Sequence, residues 1–222
     1  MEKSIFEKHP SETLKALYKK KNFQGANPKE AKVLFVGKDP NWAKDIEESS
    51  IFNLVIEYLN DGVEFWRKYN IHHPFLHSKY KGDGKKYHNA VSRIKLKSKI
   101  ASKISFIELI GFPTTGMSSL NQKKFTEYLL SPENRNHLIE LDNLLNNSEK
   151  IIFLFWGMLN YLKLLNKKTG LFENFINVDK NTFEKTSLNI FGSNIYFHKH
   201  FSMGISQDTL NRISIEINNQ LN

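Results

Sequence analysis

Four short apolar runs punctuate the chain: Lys32 to Val36, Ile104 to Ile110, Ile151 to Trp156 and Asn194 to His198. The first and third are near-continuous in Val, Ile, Leu and Phe, the pattern of strands covered on both faces. Between the runs, apolar residues recur at helical spacing. Ser11 to Lys21 opens with a Ser ahead of Glu12 and carries Leu14 and Leu17 three apart. Ser50 to Asn60 sets Ile51, Leu54, Val55, Tyr58 and Leu59 on one face. Lys86 to Lys103 is basic and reads as helical in its middle. Asn121 to Leu130 and Pro132 to Asn146 read as two helices parted by Ser131-Pro132, and Met158 to Lys167 and Ser206 to Asn219 as the last two. Strands alternating with helices predict an α/β fold, a three-layer α/β/α sandwich on a four-stranded parallel sheet with the first strand central. Crossovers in such a sheet are right-handed. No internal repeat and no Pro- or Gly-rich linker divides the chain, so one domain over residues 1–222 is expected.

Open parallel sheets bind their ligands at the carboxyl ends of the strands. Four loops are thereby singled out before any motif is invoked. The first is Gly37-Lys38-Asp39-Pro40-Asn41-Trp42. The second, led by Glu108, is Gly111-Phe112-Pro113-Thr114-Thr115-Gly116-Met117-Ser118-Ser119. The third is Gly157-Met158-Leu159-Asn160, and the fourth is His198-Lys199-His200-Phe201-Ser202-Met203-Gly204. Asp39 and His200 converge there from opposite ends of the chain. An Asp can orient or deprotonate water, and a His can stabilise a developing anion. Taken singly, an Asp before Pro is also a common turn residue, and a lone His beside a strand end is often structural.

Composition narrows the class. A hydrophobic fraction of 40% with 17 Phe and 8 Tyr is enough for a buried core and excludes a disordered chain. The absence of Cys excludes a disulfide scaffold, a thiolate metal site and a Cys nucleophile. The first residues, Met-Glu-Lys-Ser, carry no apolar secretory segment. The longest apolar run, Ile151 to Leu159, is far short of a membrane span. A soluble cytoplasmic protein without a membrane partner is expected. The charge is +9, from 32 Lys plus Arg against 23 Asp plus Glu, and suits a polyanionic partner. It has a second reading. Only Arg67, Arg93, Arg135 and Arg212 are arginines, and Asn and Ile are abundant, as in the product of an AT-rich genome.

The loop residues resemble the uracil-DNA glycosylase superfamily. Gly37-Lys38-Asp39-Pro40 is similar to that family's Gly-x-Asp-Pro loop. His200-Phe201-Ser202 is similar to its late His-Pro-Ser, with Phe201 in place of Pro. Glu108 to Gly116 resembles the middle motif of the mismatch-specific branch, in which an Asn strand end runs into Thr-Thr-Pro-Gly. The three motifs lie in the family's order and span most of the chain. The resemblance implies a DNA base-excision N-glycosylase that extrudes a deaminated or modified base and hydrolyses its glycosidic bond. By the same resemblance Asp39 positions water and His200 steadies the base as it becomes anionic. Glu108, Asn41 and a ring from Trp42 or Phe52 contact the base. Ser118, Ser119 and Ser202 hold phosphates, and Lys38, Lys123 and Lys199 steer the DNA backbone. Phe52 reads equally as a core residue of its helix. DNA is the implied partner of a monomer, and the chemistry needs no cofactor and no metal.

Three positions depart from the family pattern: Asn41, Glu108 and Phe201. An Asn amide both donates and accepts, whereas an ionised Glu only accepts. Either Glu108 is protonated in a dry pocket, or the substrate is not plain uracil, or the side chain points elsewhere. The long insert between the first two strands carries His72, His73, His77 and His88 near Asp83, at spacings that match no zinc pattern. Tyr87 and His88, beside a Gly-rich turn, read better as pocket lining. Two further readings stay open: a nucleic-acid-binding member of the fold without catalysis, and an α/β protein acting on a free nucleotide or nucleoside. The catalytic reading asks that Asp39 and His200 face one base-sized cavity with an aromatic wall, not filled by Trp42 or Phe201.

Overall fold

The structure is a computed structural model and describes residues 5–82, 84–184 and 187–221. In chain order, β1 (Glu7–Lys8) and α1 (Glu12–Lys20) lead to β2 (Phe23–Gly25) and β3 (Val33–Gly37). α2 (Phe52–Asn60), α3 (Gly62–Tyr69) and α4 (Lys85–Ser92) precede β4 (Ile104–Glu108) and β5 (Thr114–Thr115). α5 (Gln122–Leu129) and α6 (Pro132–Leu145) precede β6 (Ile151–Phe155). Then come α7 (Met158–Thr169), β7 (Asn189–Phe191), β8 (Ile195–His198) and α8 (Gln207–Leu221).

The central sheet runs β2-β4-β3-β6-β8-β7. Its inner four strands are the four apolar runs, all parallel, with β3 between β4 and β6. The expected four-stranded parallel sheet is therefore corrected to a six-stranded, mostly parallel one. An antiparallel strand borders each side, β2 on β4 and β7 on β8. Both edge strands are three residues long, too short to write an alternating pattern into the sequence. β1 and β5 form a separate antiparallel pair.

Alternation along the strands divides the core between two faces. Leu34, Val36, Ile107, Ile152, Leu154 and Phe197 pack under α5, α6 and α7 through Phe125, Leu138, Leu141, Met158 and Leu162. On the other face Val33, Phe35, Ile104, Phe106 and Phe153 meet Trp66 of α3, Val91 of α4, and Ile213 and Ile217 of α8. Parallel register brings three phenylalanines side by side there. Phe35 stacks between Phe106 and Phe153, with centroids 5.2 and 5.1 Å away. Helices thus cover both faces. A third cluster joins the insert to α1, where Leu14 and Tyr18 pack with Trp42, Val55, Tyr58, Phe65 and Phe75.

Six of the seven helical segments read from the sequence are single helices within about two residues of the expected ends. α1 is capped as its Ser11 predicts, the hydroxyl accepting from the Leu14 amide at 3.0 Å. The Lys86 to Lys103 segment is not one helix. α4 stops at Ser92, Lys95 takes a left-handed backbone (φ 61°), and a 3-10 stretch, Ser98–Lys103, follows. α3 was not foreseen. Asp61 starts it by accepting from the amides of Val63 and Glu64, both at 3.0 Å. Among the described residues no helix is long and apolar enough to cross a membrane.

Candidate active site

Parallel pairing fixes which residues share the carboxyl edge of the sheet. Gly37 pairs with Glu108, and Phe155 with His198. Beyond the strand ends the first two loops stay laced together. Leu109 and Ile110 donate to the carbonyls of Gly37 and Lys38, Thr114 donates to Pro40, and Trp42 donates back to Thr114, all at 2.9–3.1 Å. That lacing delivers Asp39 beside the Thr114–Ser118 stretch. Asp39 Oδ2 accepts from Thr114 Oγ1 at 3.1 Å and from Asn41 Nδ2 at 3.3 Å, and Oδ1 accepts from Ser118 Oγ at 3.0 Å. Burial raises the pKa of this carboxyl. The Lys38 ammonium and the three donors pull it back.

Glu108 is treated in the opposite way. Its Oε2 is buried without a hydrogen-bond partner. Burial, reinforced by the nearby Asp39 charge, pushes its pKa up to about 8. Burial raises both carboxyls; at Asp39 three donors and the Lys38 charge offset it and favour the ionised form, whereas at Glu108 the Asp39 charge adds to it and favours the protonated form. Glu108 rests on Gly37, where a Cβ would lie 3.2 Å from Glu108 Cγ. The absence of a side chain at Gly37 thus makes room for the carboxyl. Behind it, α6 grips the same strand end. His137 Nε2 donates to the Glu108 carbonyl at 2.6 Å, and Asn134 accepts from Gly111 N and donates to the Leu109 carbonyl, both at 2.9 Å.

His200 sits across the edge. Its Nδ1 accepts from the backbone N–H of Ser202 at 3.2 Å and lies 2.7 Å from Ser202 Oγ. A backbone N–H only donates, so Nδ1 carries no proton and Nε2–H is the free donor. Burial, helped by Lys38, lowers the ring's pKa to about 4 and keeps it neutral. A neutral imidazole presenting N–H is the form that stabilises a developing anion without first losing its own charge.

The cleft beside His200 is lined by Phe35, Gly37, Tyr87, Phe153, Phe155, His198 and Phe201, among others, and leaves room for about one water molecule. The expected base-sized cavity is therefore corrected: the cleft is closed, and Asp39 does not line it. Phe201 is the cause. It turns inward, 3% exposed, against Phe35, Tyr87 and His198 with centroids 6.0, 5.2 and 4.5 Å away. Phe155 and Tyr87 pack on the His200 ring.

The remaining expected site residues separate into three groups. Trp42 is corrected from base-stacking ring to core residue. It is 2% exposed, donates from Nε1 to the Tyr18 hydroxyl at 3.1 Å and stacks on His73. Phe52 likewise packs against that third cluster. Asn41 and Ser118 are turned to the protein's own groups: Asn41 donates to Asp39 and the Gly116 carbonyl, and Ser118 to Asp39. Lys38 lies over the Phe125 and Tyr161 rings, 4.4 and 4.8 Å from their centroids. Ser119, Lys123 and Ser202 are exposed at the rim, and Lys199 is partly so. Tyr87 lines the cleft, as its place beside the Gly-rich turn suggested, whereas His88, expected to line it too, stacks on His73 instead.

Sequence reasoning missed Tyr18 and Phe155. Tyr18 lies on α1 and its hydroxyl accepts from both Gln24 and Trp42, an arrangement with no local sequence signal. Phe155 reads simply as the end of an apolar strand. In the insert, His72, His73 and His88 do form a cluster. The rings of His73 and His88 stack at 3.5 Å, and His88 Nδ1 lies 3.3 Å from His72 Nε2. His77 stands apart against Tyr69, and Asp83 lies outside the described residues. No group of three or more His, Asp or Glu among the described residues is placed to hold a metal ion. Compared with protein-family models, curated proteins and solved structures, the chain gives no match.

Proposed function

We propose that the chain is a DNA N-glycosylase of the uracil-DNA glycosylase superfamily, with a three-layer fold of that kind, hydrolysing the bond between a deoxyribose and an extruded base. The observation that carries this reading is the pair of carboxyl groups at the carboxyl edge of the sheet. Asp39 is held by three donors, while Glu108 is half-buried with a buried, unsatisfied Oε2. An inert scaffold gains nothing from an unpaired buried carboxyl, whose desolvation costs about 1–3 kcal/mol or more. Neutral His200 supplies the anion-stabilising donor.

In this reading Asp39 orients the attacking water and the Nε2–H of His200 meets the leaving base. The cleft has to open for a base to enter. Phe201 and Tyr87 are the groups that must swing, since they fill the space beside His200. The DNA partner is met by the rim residues Lys123, Lys124, Lys199 and Ser119, as a monomer in the cytoplasm. No metal or cofactor takes part.

The closed cleft, filled by Phe201 and not lined by Asp39, does not meet the condition set for catalysis and favours a second reading, a nucleic-acid binder that has lost catalysis. A panel of duplexes, each carrying one uracil, hypoxanthine, xanthine or alkylated base, separates the two. The glycosylase reading expects alkali-labile sites from at least one of them, with Asp39→Asn much slower. Salt-sensitive binding to every duplex with no abasic product would support the second reading instead.

A further inference from the structure

We infer that Glu108 is a second catalytic residue, a general acid that gives its proton to the leaving base while Asp39 takes one from water. The inference rests on the glycosylase reading and adds to it a proton donor and a class of leaving group.

Three features of the geometry carry it. Glu108 Oε2 is buried and makes no hydrogen bond within the protein. Its carboxyl lies on Gly37, the residue that also lines the His200 cleft and stands two residues before Asp39. Glu108 therefore abuts the glycine that lines the His200 cleft and lies near enough to Asp39 for that charge to bear on it. The charged and titratable groups bearing on the Glu108 side chain are Asp39 from the first loop, Tyr18 from α1, Tyr58 from α2 and Tyr87 from α4. Burial and the Asp39 charge favour the protonated acid. An amide at this position could donate a hydrogen bond but could never release a proton.

The step balances. The oxygen of water bonds to C1′ as the C1′–N bond breaks, and the electron pair of that bond leaves on the base. The proton of Glu108 passes to an exocyclic oxygen of the base, and a water proton passes to Asp39. Exchange through solvent returns the proton from Asp39 to Glu108. The substrate class is a base with an exocyclic carbonyl that leaves poorly as an anion, such as uracil or hypoxanthine. A general acid matters most for poor leaving groups.

The test is single-turnover release of uracil, 5-fluorouracil and hypoxanthine from duplexes between pH 6 and 10. The fluorine makes the pyrimidine a better leaving group. For the wild type, uracil release should fall tenfold per pH unit above about pH 8. The ratio of 5-fluorouracil to uracil rates should widen over the same range, a readout that needs no variant. Glu108→Gln should lose about 10²–10⁴-fold on uracil, less on 5-fluorouracil, and should lack the alkaline fall, with duplex affinity and melting temperature kept. Active wild type with no alkaline fall, or equal losses on both pyrimidines, would overturn the proton donor and leave the glycosylase reading standing. A wild type that releases none of the three bases overturns both.

Discussion

Asp39, Glu108 and His200 come from three strand ends, and each has its protonation state set by what surrounds it. Asp39 is surrounded by donors, Glu108 is desolvated beside the Asp39 charge, and His200 is surrounded by rings and a Ser amide. The proposed mechanism makes His200 the donor to the departing base. His200→Ala should cost about 3 kcal/mol in the transition state, on the scale of losing one oxyanion donor, with duplex binding intact. Asp39→Asn should retain a residual rate, because an amide still orients water. Combined, the two substitutions should cost less than the sum of their separate effects, since both serve one transition state. Release rates for the two single variants and the double variant check this, and strictly additive losses would count against a shared site. The three residues were legible because strand-end logic had already named their loops. The closure of the cleft was not, because a single Phe at 201 gives no sign of which way its ring turns.

At the scale of elements, the four inner strands could be read from apolar continuity, and helix ends from caps such as Ser11. The failures have physical causes. Asp61-Gly62 looks like a turn signal, yet the Asp side chain caps α3 directly. The edge strands are too short to show a period, and the third cluster is assembled from residues scattered between Leu14 and Tyr80. The insert that supplies most of this cluster also carries the buried histidines His72 and His73. Burial lowers the pKa of His72 to about 3, and that of His73 well below its ordinary value, where the neighbouring imidazoles add to the effect. The sign follows from comparing folded and unfolded chains. Above about pH 6.5 both states are neutral, and the full stability is present. As pH falls below that value the unfolded chain takes up protons that the fold refuses. Stability then drops by up to about 1.4 kcal/mol per pH unit for each such histidine. The thermal midpoint should therefore fall between pH 7 and 5, and His72→Gln should flatten that slope. A midpoint independent of pH in this window would contradict the burial of these rings.

For the whole molecule the charge of +9 has two readings, a polyanionic partner or a codon bias. Under the proposed function the partner reading is tested through Lys123, Lys124 and Lys199, which follow the strands whose carboxyl ends form the candidate site. Duplex affinity should fall steeply between low and physiological salt, as counterion release demands. Titrations at several salt concentrations check this, and a flat salt dependence would return the charge to compositional bias. All of these expectations converge on one claim, that the carboxyl edge of the sheet receives an extruded base. The most direct measurement is a crystal structure of the Asp39→Asn variant with a duplex carrying the base it releases. The account predicts that base lodged between residue 39, Glu108 and His200, with Phe201 and Tyr87 swung out of the cleft. A duplex bound on another face, or bound here with every base stacked and the cleft still filled by Phe201, would contradict it.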